Sequence, residues 1–137
     1  MKTVAKIIAL HGGLEALKAK YIRIENDPFM RLVIEYVGEG PRGFPLVSVA
    51  HYGEQHGDPM RDPEMVFEVT EDMGWGPISF RQDYTGLYQE AVFTRDGKVY
   101  VHPGLVRELK AFARMWDRNI LEQGFVEAYQ KQKVQSL

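Results

Sequence analysis

From Thr3 to Leu10 the apolar residues Val4, Ile7 and Ile8 recur every three or four positions, the spacing of one helical face. Thr3 is placed to cap that helix and "HGG" (11–13) to end it. "GLEALKAK" (13–20) adds a short helical turn, so residues 1–20 read as an N-terminal helical segment. The period then drops to two. "YIRIE" alternates with Ile22 and Ile24 on one face, and "MRLVIEYV" does so with Leu32, Ile34 and Tyr36. "NDPF" (26–29) between them is a turn, because Asn and Asp bond back to their own backbone and Pro fixes φ. A Gly/Pro loop, "GEGPRGFP" (38–45), leads to a third strand, "LVSVAHY" (46–52). "MVFEV" (65–69) and "PISFRQDY" (77–84) read as a fourth and a fifth. "EAVFTRDGKVYV" (90–101) reads as a hairpin turning at Arg95-Asp96-Gly97.

Pro103 suits the first turn of a helix. From Gly104 to Glu122 the residues Leu105, Leu109, Phe112, Trp116 and Ile120 form one apolar stripe. Gly124 ends or kinks this helix, and "FVEAYQKQKVQSL" (125–137) is either a second helical piece or a fraying tail. Short turns between strands predict an antiparallel meander of about six to seven strands. The N-terminal and long C-terminal helices then pack on one face of it. That is an α+β fold in a single domain over 1–137: helical segment 1–20, sheet 21–101, long helix 103–123 and tail 124–137.

Composition narrows the chemistry. The chain has 137 residues, and a 45% hydrophobic content suits one core of ordinary size. Seventeen basic and nineteen acidic side chains leave a net charge of −2, so there is no global basic surplus for nucleic acid, only room for a local patch. The absence of cysteine excludes a disulfide framework, a Cys-ligated zinc and a thiol nucleophile. There is no G-x-S-x-G, no P-loop and no G-x-G-x-x-G. The apolar run in "MKTVAKIIALHGG" is interrupted by Lys6 and followed by no cleavage site, and no stretch approaches the roughly 20 apolar residues of a membrane span. A cytoplasmic protein with no membrane partner is expected.

The densest candidate chemistry lies in "HYGEQHGDPMRDPEM" (51–65), read as a polar loop between strands. Imidazoles and carboxylates together suit Zn, Mn or Fe. His51, His56, Asp58, Asp62 and Glu64 are the candidate ligands of a divalent metal that would activate water, and these five with Glu54 would between them supply the ligands and a general base. The spacing fits no ligand grammar such as H-E-x-x-H. On the structural reading, Asp58 and Asp62 cap the loop backbone and Arg61 pairs with either. As a recognition loop, the same stretch offers His51, Tyr52, Glu54, Asp58, Asp62 and Glu64. "RQDYTGLYQE" (81–90) is a second polar-aromatic cluster, with Gln82, Asp83, Tyr84 and Tyr88 suited to recognition, and Tyr84 able to donate a buried hydrogen bond. On the long helix, Arg107, Lys110, Arg114 and Arg118 make a basic stripe that would grip phosphates or an acidic partner. Glu108, Asp117 and Glu122 dilute it.

Three blocks recur in a recognisable order: H-Y-G-x-x-x-G-D at His51–Asp58, D-P-E-M at Asp62–Met65 and Q-D-Y at Gln82–Tyr84. With "ENDPFMRLVIE" (25–35) and "ELKAFARMWDRN" (108–119), they resemble a small family of uncharacterised domains of bacterial plasmids and integrative conjugative elements. The resemblance covers nearly the whole chain. It implies no established activity, cofactor or catalytic residue. Related domains lie fused to, or beside, DNA methylase and helicase modules, so the resemblance implies work in mobile-element DNA maintenance or in countering host defence.

The expectation is a non-enzymatic binding or accessory protein of a mobile element, with no cofactor and a protein as the foremost partner. Nucleic acid, through the basic stripe, comes next, and self-association is a further alternative. The rival expectation is a metal-dependent hydrolase or nuclease using residues 51–64.

Overall fold

The protein's structure, a computed structural model, describes residues 1–136. Two helices, α1 (Lys2–His11) and α2 (Leu14–Ala19), precede eight strands. These are β1 (Ile22–Asn26), β2 (Phe29–Glu39), β3 (Pro45–Gln55), β4 (Asp58–Val69), β5 (Trp75–Gln82), β6 (Leu87–Glu90), β7 (Val92–Arg95) and β8 (Lys98–Val101). A 3-10 turn, Asp83–Thr85, separates β5 from β6. Helices α3 (Pro103–Glu122) and α4 (Phe125–Gln135) follow. Strands β1 to β6 form one antiparallel sheet in chain order, and β7 and β8 a separate two-stranded sheet.

The pleat sorts each strand's side chains between two layers. Ile22, Ile24, Leu32, Ile34, Val47, Val49, Met65, Phe67, Val69, Ile78 and Phe80 point to one face and are buried against the helices. From α1 come Val4, Ile7 and Ile8, and from α3 come Leu109, Ala113, Trp116 and Ile120. Phe80 meets Phe112 edge to face, with ring centroids 5.3 Å apart. No helix among the described residues is long and apolar enough to cross a membrane.

Three local expectations change, and one open alternative is settled. The stretch 51–65 is a β-hairpin, not a loop. Strands β3 and β4 turn at His56 and Gly57, whose φ values of 52° and 86° are both positive, as a two-residue hairpin turn of the primed type requires. Pro63 is tolerated within β4 because the ladder is interrupted there. Ala50 pairs with Glu64 and Tyr52 with Arg61, so Asp62 and Pro63 together oppose His51 in a bulge. Of the two alternatives for 125–137 the second helical piece is the one found, as α4, which buries Phe125, Val126 and Tyr129. Thr3 is not the cap of α1. Asp117 of α3 serves instead, accepting from the Thr3 N–H at 3.1 Å and the Val4 N–H at 3.3 Å. Tyr84 is exposed, not buried, and its hydroxyl reaches only the Glu54 carbonyl, at 3.4 Å.

Charge divides along the same plane as the layers. The helical segments, 1–20 and 103–136, carry ten Lys and Arg against five Asp and Glu. The sheet segment, 21–102, carries seven against fourteen.

Candidate functional site

The two polar clusters singled out in the sequence meet at the end of β5, where β4 runs on beyond it. The join is Arg61. Its backbone N–H donates to Asp83 Oδ2 at 2.8 Å and its Nε to the same oxygen at 2.9 Å, while a terminal nitrogen reaches Oδ1 at 3.2 Å. Strand β5 has ended at Gln82, so the Asp83 carboxylate takes the place of a ladder partner for β4. This overturns the pairing of Arg61 with Asp58 or Asp62. The guanidinium holds the Asp83 carboxyl below the usual carboxylate range. Asp62 instead accepts from Gln82 Nε2 at 2.6 Å. A Cβ on Gly53 would lie 2.5 Å from the Tyr84 hydroxyl, so only glycine lets Tyr84 lie across β3.

Above this join the open face has a floor of small residues. Ser48, Ala50 and Ser79 are buried beneath longer neighbours. Ser48 Oγ donates to Glu64 Oε2 at 2.7 Å. Glu64 also lies 3.8 Å from Arg61. Glu35 pairs across strands with Ser48. Burial pushes its carboxyl up, and the Glu64 charge adds to this. The Tyr52 phenol is pushed up by burial first, then by Glu64 and Glu35. Two guanidinium–phenol stacks flank these carboxylates. Arg31 sits 5.3 Å from the Tyr52 ring centroid and Arg81 4.4 Å from that of Tyr88. The face thus offers paired planar cations and aromatics around two carboxylates, all held on strands.

The proposed metal set does not gather. Among the described residues, no three His, Cys, Asp or Glu side chains lie where they could hold one ion. His51 and Glu64 do not converge, because they occupy opposite faces of the sheet. His51 is buried between Trp116 and Phe125, with ring centroids 5.6 Å and 5.4 Å away, and its Nδ1 donates to the Met30 carbonyl at 3.0 Å. Burial lowers its proton affinity, against the opposing pull of the Arg31 and Met30 backbone and of Asp62. His56 forms the hairpin turn, and Glu54 and Asp58 are exposed near it.

Of the sequence candidates, Tyr52, Glu64 and Tyr88 share the open face with Arg61, which Asp83 holds; Asp62, Gln82 and Tyr84 fall on the opposite face, the one His51 and Gly53 take, and Arg107, Lys110, Arg114 and Arg118 lie on the helical layer. Arg31, Glu35, Ser48, Arg61 and Arg81 complete the open face and were missed as site residues. The alternation that marked Leu32 and Ile34 as core also marks Arg31 and Glu35 as their opposite, which was the available signal.

The profile of a family described as a domain of unknown function (DUF6908) matches residues 2–126, and the chain belongs to that family. No curated protein and no solved structure matches it.

Proposed function

We propose, from membership in a family whose function is unknown, that this chain is a non-enzymatic binding protein whose open sheet face docks a protein partner. The observation that carries the reading is the pair of Arg–Tyr stacks, Arg31–Tyr52 and Arg81–Tyr88, set on strands with no helix over them. Tyr and Arg dominate the energetics of protein interfaces. Side chains already held in one arrangement lose less freedom on docking. By the sequence resemblance, the setting is a bacterial mobile element, and the work is DNA maintenance or countering host defence in the cytoplasm.

A photo-crosslinking residue at Tyr88, compared with one at the exposed Val134 on α4, tests this in the producing cell. One discrete adduct from position 88, absent from position 134 and lost in Arg31→Glu/Arg81→Glu, is the expected result. No adduct from position 88 in a folded protein would sink the reading.

A further inference from the structure

The helical layer holds a second feature, independent of the sheet face. Lys110 and Arg114 of α3, with Lys2 of α1, rim a cleft of about 290 Å³ whose apolar wall is Phe67, Met73 and Trp75. Lys110 and Trp75 also line the neighbouring cleft of about 230 Å³, which holds Arg42 and Glu68. The two clefts are therefore halves of one depression around Trp75.

Two of the lining residues carry a buried atom with no hydrogen-bond partner among the described residues, Trp75 Nε1 and Glu68 Oε1, and both atoms are closed to solvent. Glu68 is 2% exposed, and its other oxygen accepts from the Arg42 N–H at 2.9 Å and the Phe44 N–H at 3.2 Å. Arg42 approaches Oε1 only to 3.7 Å. Met73, 39% exposed beside the cleft, has φ of 61°, a conformation that side chains rarely adopt. The neighbouring Asp72 is engaged by Thr70 and the Gly74 N–H, so its charge is held in the turn.

What fits is a flat, partly apolar group lying against the indole, with negative charge beside it. A nucleobase with its phosphates has that chemistry. The cations continue past the cleft along α3. Arg107 lies one turn before Lys110, and Arg118 one turn after Arg114. All four are exposed, and among the described residues none is in an ion pair. At about 1.5 Å per residue the stripe is roughly 16 Å long. That is room for several successive phosphates, which a free nucleotide would not use.

We infer that this face binds single-stranded nucleic acid, with one base in the Trp75 cleft and flanking phosphates along Arg107, Lys110, Arg114 and Arg118. Bases stacking on an aromatic, over a cationic track, is how strands are held without sequence preference.

The test is fluorescence anisotropy of a labelled oligo-dT at low salt with the full chain. Duplex DNA and dTMP serve as competitors, and circular dichroism checks the fold of each variant. Binding should weaken with salt, at about 0.7 decades of affinity per decade of salt for each phosphate held. Lys110→Glu/Arg114→Glu should weaken it by about tenfold or more and reduce the salt slope by about 1 for each cation removed. Strand binding should quench tryptophan emission, and Trp75→Phe should abolish the quench. Arg31→Glu/Arg81→Glu, on the sheet face, should leave the affinity unchanged, which separates this inference from the sheet-face reading. No strand binding by the folded protein would overturn the proposal. So would equal competition by duplex, which moves the site to double helices, or by dTMP, which makes the occupant a free nucleotide. Binding indifferent to the α3 substitutions would overturn it as well.

Discussion

His51 and Tyr52 are neighbours in the chain and occupy opposite faces of β3. The imidazole is packed between Trp116 and Phe125, with burial lowering its proton affinity. The phenol is half-buried beneath a guanidinium and beside two carboxylates. A polar stretch that looks like one site in the sequence is thus divided by the pleat into a core residue and a surface residue. Two ionisable groups on adjacent residues of a strand cannot readily share a ligand, whereas residues far apart in sequence on neighbouring strands can.

The largest break in that contrast comes from truncation. His51→Ala leaves a cavity against two aromatic rings and an unpaired Met30 carbonyl, and should lower unfolding free energy by about 2–4 kcal/mol. Tyr52→Ala should cost about 1 kcal/mol or less, since it gives up mainly a surface stack. Urea melts of the two variants measure both, and equal losses would dissolve the contrast.

The faces also differ in the sign of their response to pH. Folding lowers the pKa of His51, so the unfolded chain takes up its proton first. Stability from this group is present above about pH 6.5 and declines as pH falls from there, until the folded imidazole itself titrates. Glu35 runs the other way. Folding raises its pKa, so the folded chain is protonated first, and this group adds stability as pH falls through its elevated value. Stability measured across pH 4 to 8 should lose the first dependence in His51→Gln and the second in Glu35→Gln, judged by difference from the parent. A His51→Gln curve parallel to the parent's would refute the first assignment.

The smallest effect expected is the coupling that joins the two polar clusters. A double-mutant cycle on Arg61→Ala and Asp83→Ala should give about 1 kcal/mol, because the pair has ideal forked geometry but stands partly in solvent. A coupling near zero would make the contact incidental to the site.

The contrast explains what could be read from sequence. Alternation revealed β1, whose buried and exposed positions alternate strictly, and β2, where Leu32 and Ile34 are fully buried although Val33 between them is buried as well. Asp96-Gly97 announced its hairpin, since both residues accept positive φ readily. His56-Gly57 makes a turn of the same kind, and His is a rare choice for it. Pro59, Pro63 and four charges then disguised the first half of β4 as a loop, although the bulge at Pro63 removes the objection to proline. In α4 the buried positions Phe125, Val126 and Tyr129 have helical spacing, but a polar remainder left a fraying tail as the alternative. The site was harder. Arg61 finds Asp83 across 22 residues, and Arg31 finds Tyr52 across strands, so both depend on register. Register is set by turns and bulges that a local window does not contain.

The division of charge between the layers has a consequence for motion in solution. The helices hold an excess of five positive charges and the sheet an excess of seven negative ones, so the molecule is a strong electric dipole whose near-neutral total conceals it. A polyanion nearing the molecule exerts a torque on it before any contact forms, turning the helices forward. A cationic surface turns it the other way. At ionic strengths where screening acts over about 10 Å, each layer meets its surroundings almost alone, and the chain behaves as two oppositely charged bodies bound back to back.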